Sequence, residues 1–130
     1  MDVTKADLTF AVLSKSLDLL SARQEAISAN IANVNTPGYA RRDVDFTTAI
    51  REALSSDKPL SKSGRLAAVE GVSPSVISEA GLVSRNDKGG VDIDKEMAEE
   101  ARTQLLYSAS VNLMDKRDKM YKMVIMDGRA

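Results

Sequence analysis

Asn33-Val34-Asn35-Thr36-Pro37-Gly38-Tyr39 closes about thirty residues patterned for helix packing, and these seven residues set the architecture. Pro37 disfavours helix at the residue before it. Pro37-Gly38 fits the two central positions of a type II turn from Thr36 to Tyr39, the second of which requires positive φ. Asn33 and Asn35 suit a helix end, where side-chain amides satisfy orphan carbonyls and tolerate left-handed backbone. A long helix is therefore expected to stop here, and the chain to turn sharply.

Upstream, residues 4–35 read as one helix. Thr4 with Asp7 forms a capping box, and Val3 and Leu8 stand at hydrophobic-staple positions. Ala6, Phe10, Leu13, Leu17, Leu20, Gln24, Ile27, Ile31 and Val34 recur at alternating three- and four-residue steps. This is the a/d seam of a left-handed coiled coil, broken by Gln24, which either fixes register as a buried polar contact or lies at a solvated edge.

A second helix is predicted over about residues 94–126, with Asp94 as N-cap. Acids crowd its start (Asp92, Asp94, Glu96, Glu99, Glu100) and bases its end (Lys116, Arg117, Lys119, Lys122), matching the helix dipole. Its apolar positions form a broad stripe that includes Met97, Leu105, Leu113, Met120 and Val124, with Tyr107, Met114 and Tyr121 on a second flank. At 1.5 Å per residue both helices span roughly 50 Å, so they match as an antiparallel hairpin. They carry more apolar surface than one pairing covers, and five of the six methionines follow residue 96. Methionine suits surfaces that pack against several neighbours.

Between the helices, 15 of the 36 residues from 55 to 90 are Ser, Gly or Pro. This reads as a loop-rich insert, with a short helix over 47–54 and a small β-hairpin pairing 66–69 with 75–77. The fold expected is mainly α: residues 1–35 and 91–130 form one helical domain, and 36–90 hold the turn, an extended segment and the insert.

Composition narrows function. The chain has 130 residues, 4% aromatic, with no Trp, Cys or His. Disulfides, Cys/His zinc sites, thiol nucleophiles and histidine bases are excluded. No Gly-rich phosphate loop or base–nucleophile spacing occurs, and Glu96, Glu99 and Glu100 lie in a first helical turn where acids are ordinary. No enzyme, cofactor or metal site is expected. A net charge of −1 from 18 bases and 19 acids gives no footprint for nucleic acid. The longest apolar runs are four residues, and Met1–Asp7 lacks a basic or apolar leader, so neither membrane insertion nor a cleaved signal peptide is expected.

Ser28-Ala29-Asn30-Ile31-Ala32-Asn33-Val34-Asn35-Thr36-Pro37-Gly38-Tyr39 resembles the N-terminal signature of flagellar rod, hook and hook-associated proteins, S-x-N-[IL]-A-N-x-[NDS]-T-P-G-[YF]. Val91-Asp92-Ile93-Asp94-Lys95-Glu96-Met97, with Gln104 and Tyr107, resembles the same family's C-terminal motif. Together the likeness covers about 75 of the 130 residues. Two classes of proximal rod protein are this short. The run Gln104-Leu105-Leu106-Tyr107 and the tail Lys119-Met120-Tyr121-Lys122 differ from the FlgC-type class, whose ending has Q-R-x-Y, and resemble the other.

The resemblance implies a structural subunit of the basal-body rod. It implies export through the flagellar type III apparatus without cleavage and assembly in the periplasm with other copies of itself, FlgC-type and other rod proteins, and a FliE-type adaptor. Phe46 and Ile50 match the family's short export-gate pattern, Phe followed four residues on by an apolar residue, with a plain packing role as the alternative. In such a subunit the apolar positions Phe10, Leu13, Leu17, Leu20, Ile27, Ile31, Leu105, Leu113, Met120 and Val124 are expected to pack both within the chain's own helix pair and against neighbouring subunits. Arg41 and Arg42 either pair with acids of a neighbouring subunit or stay solvated at the surface. A cytosolic helical export adaptor or chaperone is the alternative from another class.

Overall fold

The computed structural model describes residues 3–45, 51, 62–78 and 91–127. Five elements follow in order: α1 (Val3–Ala32), β1 (Arg42–Val44), α2 (Lys62–Glu70), β2 (Val76–Ser78) and α3 (Ile93–Asp127). The fold is mainly α, and the two long helices pack together. α1 has 30 residues and α3 has 35, lengths of about 45 and 52 Å at 1.5 Å per residue.

α1 begins at Val3, so Thr4 lies inside its first turn rather than at the cap. Its end follows the sequence closely. The Asn33 backbone N–H donates to the Ala29 carbonyl (3.1 Å), and its side-chain amide donates to the same oxygen (2.8 Å). Thr36 N–H donates to the Asn33 carbonyl and Tyr39 N–H to the Thr36 carbonyl, at 2.9 and 3.2 Å. Gly38 has φ of +75°, which makes Thr36–Tyr39 a type II turn. Among the described residues no side-chain-bearing residue adopts positive φ, so Asn33 caps without the left-handed geometry allowed for it.

β1 and β2 form a two-stranded antiparallel sheet, with Arg42 opposite Ser78, Asp43 opposite Ile77 and Val44 opposite Val76. The sheet is not the local hairpin predicted from the sequence. Residues 75–77 overlap a strand, but 66–69 lie inside α2, and the partner of β2 is the extended run after the type II turn. Arg65-Leu66-Ala67-Ala68-Val69-Glu70 is built of good helix formers, and Leu66 and Val69 stand three apart, on one helical face. Of the predicted helix over 47–54, Arg51 is helical and the rest lies outside the described residues, as do Phe46 and Ile50.

The core sits on α1. One cluster joins Ala11 and Val69 with Leu8, Val12, Leu66, Ala68 and Val72. A second joins Leu19, Ala26 and Val44 with Ala22 and Val72. α1 thus presents a face that the a/d reading passed over: Leu19 is fully buried, whereas Phe10 of the predicted seam is 46% exposed. Leu20 and Ile27 of that seam are buried, and Leu13, Leu17 and Ile31 are half-buried. The extra face exists because α1 is covered on one side by α2 and the small sheet and on another by α3.

Two outcomes follow. Leu19→Ala removes a side chain with no exposure and is expected to cost about 2–5 kcal/mol, against a smaller loss for half-buried Leu17→Ala, read from denaturant midpoints. At Gly38 a Cβ would meet nothing within 4 Å, so the cost of Gly38→Val is backbone strain. It should be about 1–3 kcal/mol in the same measurement, with Gly38→Asn costing less because Asn tolerates positive φ.

Candidate functional site

The end of α1, the strand after the turn and the start of α3 meet around two buried polar side chains, Asn30 (0% exposed) and Glu96 (1%). Both come from the motifs singled out in the sequence, one from each end of the chain. The Asn30 amide Nδ2 donates to Glu96 Oε2 at 2.9 Å and to the Arg42 carbonyl at 2.7 Å. Its Oδ1 accepts from the Arg42 N–H at 2.8 Å and from the Tyr39 hydroxyl at 3.2 Å. All four hydrogen-bonding positions of the amide are used. Asn30 therefore acts as a strand-like partner for the first residue of β1 while reaching α3 with the same nitrogen.

Glu96 Oε1 accepts from Arg41 Nε at 2.6 Å, and Arg41 Nη1 donates to Asp43 Oδ2 at 3.1 Å. Burial opposes the charge on Arg41, but the Glu96 and Asp43 carboxylates outweigh it and raise its pKa. Arg23 bonds Glu99 Oε2 through Nη2 (3.2 Å), and its Nε lies 3.3 Å from Asp43 Oδ1, close enough for an ion pair but without hydrogen-bond geometry. Arg102 approaches Glu99 at 3.9 Å. Three guanidiniums thus face three carboxylates. A buried carboxylate is tolerable when its oxygens are bonded and a cation stands beside it, as here.

Arg41 is therefore a partner of Glu96 and Asp43 within the chain. Arg42 is exposed, its guanidinium 5.8 Å from the centre of the Tyr39 ring. Thr36 bonds Asn33 through its hydroxyl (3.2 Å), and Asn35, Thr36, Pro37 and Gly38 form the exposed corner. Met97, Gln104 and Tyr107 are exposed on α3, away from the clasp.

The helix cap is also corrected. Asp92, not Asp94, is the N-cap of α3: its Oδ1 accepts from Asp94 N–H (3.1 Å) and Lys95 N–H (3.4 Å), and its carbonyl accepts from Glu96 N–H (3.0 Å). Acids enriched at positions 92, 94 and 96 all suit a first turn, so composition alone does not single out the cap.

Sequence reading missed Arg23, Asp43, Glu99 and Thr103 as partners. A signal was present. Arg23 and Asn30 are seven apart, and Glu96, Glu99 and Thr103 follow at three- and four-residue steps, so each set lies on one helical face. The shielded residues of α3 continue that line: Glu96, Glu99, Thr103, Ser110, Met114, Arg117 and Tyr121, with Glu100 beside it. At its far end Arg117 stands 5.3 Å from the Phe10 ring centre and 5.1 Å from that of Tyr121. Phe10 also lines a groove of about 360 Å³ between α1 and α2. The helix thus turns a largely polar line toward α1, while Leu105 (71% exposed), Leu113, Met120 and Val124 face outward.

No helix among the described residues is long and apolar enough to cross a membrane, and none of their acids cluster as a metal site. A polar clasp closing a helix pair, with apolar surface left outside, is the arrangement of a packing subunit.

Residues 12–39 match the family model for flagella basal body rod protein. The chain is 30% identical to flagellar basal body rod protein FlgB of Borrelia hermsii, across 92% of this chain and 96% of the relative. It is 29% identical to FlgB of Proteus mirabilis (95% and 98%) and 25% identical to FlgB of Escherichia coli K12 (95% and 97%). The chain belongs to the FlgB family of flagellar basal body rod proteins.

The cap makes a pH prediction. The Lys95 backbone N–H is the largest influence on the Asp92 carboxyl and, against a smaller opposing effect of burial, holds its pKa below 3.8. The cap's contribution is then complete above 3.8 and is lost as pH falls through the lower folded-state value. Backbone amide shifts of Asp94 and Lys95 should titrate below that pH in the native protein. Asp92→Asn, which caps without titrating, should abolish the transition.

Proposed function

We propose that this protein is a structural subunit of the proximal rod of the bacterial flagellum, polymerising into the axial drive shaft that carries motor torque. The observation that supports this best is the clasp. Residues from both ends of a chain matched over nearly its whole length to FlgB proteins converge at Asn30 and Glu96, 2.9 Å apart. The signature residues thereby shape the subunit.

The outward surface supports a polymer. Leu105, Leu113, Met120, Val124 and Met126 are each more than half exposed on α3. Fully burying a side chain of this size contributes about 1.5–3 kcal/mol, so a neighbour covering several of them gains substantially. Phe10, Leu13, Leu17 and Ile31 keep partial exposure on α1 and extend that surface, whereas Leu20 and Ile27 are already buried within the chain. Partners in this reading are other copies of the chain, FlgC-type and other rod subunits, and a FliE-type adaptor at the base. The route is the type III export apparatus, with Phe46 and Ile50 as its recognition element and the periplasmic rod as destination. The chemistry asked of the protein is packing rather than catalysis.

The test is quantitative mass spectrometry of purified hook–basal bodies, with cross-linking to name neighbours. Several copies per particle, cross-linked to other rod proteins, are expected. Absence from the particle with retention in the cytosol would favour an export adaptor instead. The double variant Leu105→Asp and Leu113→Asp, both on exposed positions, should keep the circular dichroism of the native chain yet abolish motility and incorporation. Normal swimming by that variant would remove α3 from the assembly surface.

A further inference from the structure

We infer that the outward surface of α3 is a modification site for peroxides: its exposed methionines are oxidised to the sulfoxide, and a chain so modified is kept out of the rod. The site follows from exposure and composition. Its consequence rests on the reading of this surface as the one that packs against neighbours.

Met97, Met120, Met123 and Met126 are each more than half exposed on α3. They share the outward surface with Leu105, Leu113 and Val124, which are also more than half exposed. Met114, on the line turned toward α1, is half-buried and is not part of the site. Oxidation requires the thioether sulfur to meet an oxidant carried by solvent, and these four sulfurs stand where solvent reaches them. The chain has no Cys, so no thiolate competes for the oxidant.

The step is an oxygen transfer from hydrogen peroxide. A lone pair on methionine Sδ attacks one peroxide oxygen, and the S–O bond forms as the O–O bond breaks. The departing hydroxide takes the proton left on the transferred oxygen and leaves as water. Sulfur loses two electrons and the peroxide gains them. A soft apolar side chain thereby becomes a polar one. The new oxygen is hydrogen-bonded to water while the surface is open. Covering it with an apolar neighbour removes that water and supplies no donor in its place, so burial that was favourable becomes costly. Methionine gives the surface its adaptability in packing and, by the same sulfur, its sensitivity to oxidant.

The test uses cells that make the full chain, lack methionine sulfoxide reductases, and grow with or without sublethal hydrogen peroxide. Mass spectrometry measures the amount of the chain per purified hook–basal body and the sulfoxide at each methionine in the unincorporated pool. Peroxide should oxidise Met97, Met120, Met123 and Met126 in the pool and lower the native chain's amount per particle by at least roughly threefold. The variant Met97→Leu, Met120→Leu, Met123→Leu and Met126→Leu, a nearly volume-conserving change, should hold its amount under the same treatment. If that variant fails to assemble untreated, Met123→Leu with Met126→Leu should give partial protection. A pool in which these methionines stay unoxidised overturns the inference. So does an oxidised pool with undiminished incorporation, or a loss of equal size in native and leucine chains. Absence of the native chain from untreated particles is the distinct failure of the rod reading, and the inference falls with it.

Discussion

The Glu96 carboxylate is the group on which the rest of the subunit depends. It is buried, so it must be neutralised and hydrogen-bonded, and the surrounding elements supply both. Arg41 delivers charge from the segment after the turn, and Asn30 delivers an amide N–H from the last turn of α1. Asn30 in turn holds both main-chain groups of Arg42, so the sheet, the turn and both long helices share one junction. Apolar burial can be satisfied in many registers; a carboxylate with two directional donors is satisfied in one.

This division of labour explains why α3 looks inverted. A helix of a closed globular domain turns its apolar stripe inward. Here the shielded line runs through Glu96, Glu99, Thr103, Ser110, Met114, Arg117 and Tyr121, and the leucines and the other methionines stand in the open. The intrachain partner is chosen by polar interactions and the apolar surface remains available. Polarity gives the hairpin its uniqueness, and hydrophobicity is reserved for association.

Local features were legible in the sequence and long-range ones were not. The end of α1 could be read because proline, glycine and asparagine act through their own backbone: the stop, the type II turn at Gly38 and the Asn33 cap are all as the residues dictate. The two long helices were legible from length and periodicity. The a/d pattern picked out Leu20 and Ile27 but hid Leu19 and Ala26, because a helix covered on two sides has no single seam. The run 66–69, expected as a strand of a hairpin, is helical because the two alanines between Leu66 and Val69 favour helix. The Asn30–Glu96 hydrogen bond spans 66 residues, and each residue alone fitted a helix-end role. The motif resemblance marked both as important without saying that they touch.

The chain leaves the clasp along β1 at Val44 and returns to it along β2 at Val76, directly opposite in the sheet. The two ends of the intervening stretch are pinned side by side whatever its length. Closing a longer excursion costs only about 0.6 kcal/mol per doubling. The strand pair therefore isolates the junction from changes of length in that stretch: added residues leave the pairing of Arg42–Val44 with Val76–Ser78 in place, provided that α2 keeps its packing on α1.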